Sequence, residues 1–153
     1  MHNRTHEILI VQAHGPPEKW HRVDSDDASS PTSYGAHVTS SKEKKLPDFI
    51  VVRATDNKNN DKIILIIEVK KRKKLSKDER QREQLKRYLE AAGKRPGGKD
   101  PNLRGMLIRH SIFDVFRLND DGRAVMIACD QELCSPECDS LLQSIANGNP
   151  IDL

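Results

Sequence analysis

The chain has few aromatic side chains: three Phe, two Tyr and one Trp among 153 residues. None of them falls in the recurring pattern that a base-stacking platform requires, so sequence preference among nucleic acids cannot be read from aromatic spacing. Cysteine is also scarce. Cys129, Cys134 and Cys138 make an odd set of three and not a disulfide framework. With no His following them they also fall short of the four ligands of a structural zinc, so free thiols are expected. Long apolar runs are missing. No window approaches the roughly 18 apolar residues of a spanning helix, and the first 30 residues lack a signal-peptide core. The expectation is an intracellular protein, nuclear or cytoplasmic, with reduced thiols and no membrane partner.

Hydrophobic residues make up 35% and charged residues 32%. The apolar ones are bunched, and a chain of this size can bury roughly 70% of its unfolded surface, so one domain over 1–153 with a core is expected. Residues 24–41, rich in Ser, Asp and Thr with Pro31 and Gly35, read as a loop or disordered segment. Charge is uneven. Lys70 to Arg95 carries twelve Lys/Arg against four acids, net +8, which leaves −5 for the rest of a chain whose total is +3. Such a block suits either a phosphate-rich partner or a solvated helix face.

Glu7–Ala13 and Phe49–Ala54 read as strands, and Ile63–Val69 as a strand apolar on both faces, as a central strand should be. Asp56–Asp61 between the last two is turn chemistry, so they should pair antiparallel. Ser76 and Glu79 match a capping box opening a helix whose stripe is Leu85, Tyr88, Leu89 and Ala92, with Gly93 as its stop. Leu103–Arg109 and Ile112–Leu118 read as two strands or one bent strand. Asn119–Gly122 is a hairpin turn leading to a strand over Ala124–Cys129. Ser135-Pro136 starts a last helix with Leu141, Leu142 and Ile145 on its apolar face. The element order reads as an α/β or α+β layered domain.

With the hairpin loop centred near residue 58, paired positions sum to about 116, so Asp48 lies across from Glu68. Strand alternation puts Lys70 on the same face as Glu68. Two carboxylates held together repel unless a proton or cation intervenes, and a hard divalent ion with oxygen ligands is the natural partner. Lys70 beside it can orient a water or stabilise charge developing on phosphorus. The structural alternative is a strand-end ion pair with no chemistry.

Pro47-Asp48 followed by Glu68-Val69-Lys70 at the end of an apolar strand resembles the PD-(D/E)xK signature of the restriction-endonuclease-like nucleases. Gln84-Leu-Lys-Arg-Tyr88 resembles the Q-x-x-x-Y element of RecB-type members. The resemblance covers residues 47–92. It implies the α/β restriction-endonuclease-like fold, a central mixed sheet flanked by helices, and a deoxyribonuclease, endonuclease favoured over exonuclease, using Mg²⁺ or Mn²⁺. Asp48, Glu68 and the Val69 carbonyl would hold the metal, and Lys70 would be the catalytic lysine. Gln84 and Tyr88 would support the site or touch nucleic acid. Taken by itself, Tyr88 reads as a core anchor, because it lies on the apolar stripe. Lys71, Arg72, Lys73, Lys74 and Arg87 are candidate contacts to DNA, although Lys70–Lys74 also fits a nuclear localisation patch. Many members carry a further N-terminal acid, for which only Glu7, Glu18 and Glu43 are available as glutamates. Paired cuts need two active sites, so a homodimer is compatible, though no residue demands it. The alternative is a catalytically silent nucleic-acid-binding or protein-interaction module on the same fold. Gly93–Lys99 mimics a P-loop and is rejected, because Asp100 stands where Ser or Thr must meet the metal.

Overall fold

The computed structural model describes residues 8–14, 33–35, 47–55, 61–71, 78–95, 100–149 and 151. Seven strands form one sheet in the order β2-β1-β3-β4-β5-β6-β7. These are β1 (Ile8–His14), β2 (Ser33–Gly35), β3 (Phe49–Arg53), β4 (Lys62–Lys70), β5 (Arg104–Arg109), β6 (Ile112–Leu118) and β7 (Ala124–Glu132). Helix α1 (Asp78–Gly93) connects β4 to β5, and α2 (Pro136–Asn147) follows β7. The sheet is mixed: β4 and β5 run parallel through the α1 crossover, and the β3–β4, β5–β6 and β6–β7 pairs are antiparallel. The class is therefore α/β, one of the two that the element order allows.

β4 is the middle strand, which explains its unbroken apolar run. One face packs Ile50, Val52, Ile63, Ile66, Leu107 and Phe116 against Leu85, Tyr88, Leu89 and Ala92 of α1. The other packs Val51, Ile64, Leu65, Met106, Phe113 and Val115 against Cys138, Leu141 and Ile145 of α2. The α1 stripe is the one its spacing predicts. The α2 stripe differs: Leu142 is exposed and Cys138 takes its place, because 138, 141 and 145 share a helical face.

Of the two readings of 103–118, two strands form, β5 and β6, turned at His110 and Ser111, where His110 takes a left-handed φ of 58°. Two other expectations need correction. Ser33–Gly35 lies inside the stretch read as loop, yet its backbone pairs in parallel with β1. Gly93 is the last residue of α1 and is absent from the positive-φ glycines. A Cβ there would lie 2.4 Å from Leu118 Cδ1 of β6, so a side chain at this position requires that leucine's tip to shift. The proposed cap Ser76 lies outside the described residues.

Helix α2 ends as its sequence suggests. The Ser135 hydroxyl caps its start, accepting from the Cys138 N–H at 3.2 Å. Gly148 closes it at φ 69°, and Arg53 Nη2 donates to the Ile145 carbonyl at 3.0 Å. Gly148→Ala forces an L side chain into left-handed backbone. It is expected to cost about 1–2 kcal/mol, read from denaturant melts.

Candidate functional site

β3 and β4 pair with Phe49 opposite Ile67, Ile50 opposite Ile66 and Val51 opposite Leu65, all summing to 116. One step further puts Asp48 level with Glu68. Nearer the loop, Val52 faces Ile63 and Arg53 faces Lys62, so the register there is one residue different. Ile64 is the extra residue of a β-bulge. Its effect is visible in the packing: Ile64 and Leu65 both turn toward α2, whereas Ile63 and Ile66 both turn toward α1. The bulge thereby turns Glu68 and Lys70 onto the α1 face.

Asp48, Glu68 and Lys70 come together there. Glu68 is wholly buried, at 0% exposure, and Lys70 Nζ forms an ion pair with its Oε1. Neither Glu68 oxygen receives a well-directed hydrogen bond among the described residues. Burial pushes the Glu68 carboxyl above its ordinary pKa; Lys70 opposes this by contact and charge, and the nearby charge of Asp48 adds to it. Asp48 is half-buried, and its Oδ2 accepts from the Val69 N–H at 2.7 Å. The Val69 side chain points the other way and is exposed.

Helix α1 brings Gln84 and Tyr88 over the same face. Gln84 Nε2 donates to the Tyr88 hydroxyl at 2.8 Å. Tyr88 is buried in the core, and burial foremost raises its pKa; the Gln84 hydrogen bond opposes this, while the charges of Glu68 and Asp48 add to it. The Q-x-x-x-Y pair is thus both core and site-facing. Lys71 is exposed just past β4, and Arg87 is exposed on α1. Arg72, Lys73 and Lys74 lie outside the described residues, as do Glu7, Glu18 and Glu43.

A second charged group, unforeseen from the sequence, lies two strands away on this face. Asp114 on β6 is level with Leu107 of β5, which is itself level with Glu68. Arg109 Nη2 donates to both Asp114 oxygens at 2.9 Å and to Asp130 Oδ1 at 3.0 Å. Arg82 Nε of α1 donates to Asp114 Oδ2 at 2.9 Å. The Asp130 N–H, on left-handed backbone at φ 51°, donates to Asp114 Oδ1 at 2.9 Å. The signal in the sequence is an acid inside the apolar run Ile112-Phe-Asp-Val-Phe116.

Two carboxylates and a backbone carbonyl suit a hard divalent cation that keeps waters and shares a phosphate. Glu68, buried without directed hydrogen bonds, is an oxygen donor that fits such an ion. Among the described residues no group of three or more His, Cys, Asp or Glu side chains is placed to hold a metal. No described helix is long and apolar enough to cross a membrane. Comparison of the chain with protein-family models, with curated proteins and with solved structures finds no match in any of the three.

Proposed function

We propose that this chain is a metal-dependent deoxyribonuclease of the PD-(D/E)xK type, with a restriction-endonuclease-like fold. The observation that carries it is Asp48 level with Glu68, Lys70 paired to Glu68, and the Gln84–Tyr88 pair over the same face. The antiparallel β3–β4 pair, the α1 crossover and the parallel β5 are in keeping with that fold.

Asp48, Glu68 and the Val69 carbonyl would hold Mg²⁺ or Mn²⁺. When bound, the ion supplies Lewis-acid polarisation of a phosphoryl oxygen and a lowered pKa for a coordinated water. Lys70 orients the attacking water or offsets charge gathering on phosphorus. Gln84 and Tyr88 fix one wall of the site through their mutual hydrogen bond. Lys71 and the lysine-arginine tract after it supply phosphate contacts, with DNA as the partner and a homodimer as the assembly that permits paired cuts.

The purified protein should cut linear and circular DNA with Mg²⁺, and circular-DNA cleavage marks it as an endonuclease. Lys70→Ala and Asp48→Ala should each lose roughly 10²–10³ in rate. Equal cleavage by wild type and variants overturns the assignment. The second reading is a silent DNA-binding module, favoured by the capture of Asp48 Oδ2 by Val69 and by the absence of a third acid among the described residues. It predicts salt-dependent binding without turnover.

A further inference from the structure

We infer that Arg82 is a preorganised phosphate clamp, binding nucleic acid beside the reacting phosphate; the inference rests on the nuclease reading above and adds a residue and a subsite to it. Arg82 is held by one edge only. Its Nε donates to Asp114 at 2.9 Å, and neither terminal nitrogen has a partner among the described residues. Its side chain is 21% exposed, against 4% for Arg109.

Asp114 is a firm anchor. It is wholly buried and fixed from other sides by Arg109 and by the Asp130 N–H. Arg109, 4% exposed, is too enclosed to meet a ligand and serves as a positioning residue. Asp114 therefore aims Arg82 without consuming the fork that suits a phosphate. The place is also right. Asp114 and Glu68 lie level on one face with a single strand between them. That separation is on the order of 10 Å, a few nucleotides along one strand.

The test is equilibrium binding of a short duplex oligonucleotide across a salt series, with Ca²⁺ in place of Mg²⁺ to hold off turnover. Arg82→Gln should lower the slope of log K against log salt by about 0.9, one phosphate contact. Arg82→Lys keeps the charge and should recover most of that slope while binding more weakly. Arg123→Gln, on the exposed β6–β7 turn, should leave the slope unchanged. Thermal melts check that each variant is folded. A folded Arg82→Gln protein with the wild-type slope overturns the clamp while leaving the nuclease reading intact. A wild-type protein that binds no DNA at low salt overturns both.

Discussion

Asp114→Ala is expected to destabilise the fold by about 3–5 kcal/mol, measured by denaturant unfolding, because it strands a buried charge. Asp114 is 0% exposed and Arg109 only 4%. In the native protein each desolvated charge is offset by the other, and Asp114 also takes Arg82 and the Asp130 amide. Removing the acid leaves Arg109 with Asp130, whose side chain is 62% exposed and so screened by water. It also leaves the left-handed Asp130 without the hydrogen bond that accompanies its unfavourable φ. The double variant Asp114→Leu/Arg109→Met should recover much of the loss, since an apolar pair of similar volume needs no compensating charge. If the single and double variants are equally unstable, the cost lies in packing and not in the lost Arg109–Asp114 ion pair.

The same network shows where sequence reasoning stops. Arg109 and Asp114 are five residues apart across a tight turn and find each other locally. Asp130 and Arg82 reach them from another strand and from a helix, through pairings that depend on the whole sheet. The β3–β4 register was legible near the site because the strands flank one short polar loop and their apolar runs have matching ends. The bulge was not, because Ile63-Ile-Leu-Ile-Ile67 has no alternation that a parity change could disturb. Gln84 and Tyr88 were legible as neighbours from their four-residue spacing, and their hydrogen bond follows from it. The helix stops at Gly93 as the sequence suggests, but without the left-handed backbone that a glycine closing a helix normally adopts.

Glu68→Gln is expected to raise stability at neutral pH in chelator while reducing DNA cleavage by roughly 10²–10³. The two effects have one cause. Burial holds the folded-state pKa of Glu68 above its unfolded value, with Lys70 only partly opposing it. The folded protein therefore binds this proton more tightly than the unfolded chain does. Stability from Glu68 is greatest below the ordinary carboxylate pKa, and it falls as pH rises from there through the raised folded value. Glutamine keeps the shape without the charge, so this part of the pH dependence should vanish, and melts of the two proteins should converge at acid pH. Mg²⁺ reverses the comparison. A cation that binds only the folded state adds stability according to its concentration over its dissociation constant. Wild type should gain melting temperature on Mg²⁺ addition at neutral pH, and Glu68→Gln should gain little. A wild-type melt indifferent to Mg²⁺ and Mn²⁺ would remove the metal from the site, leaving the Lys70 ion pair to offset the charge of the buried acid.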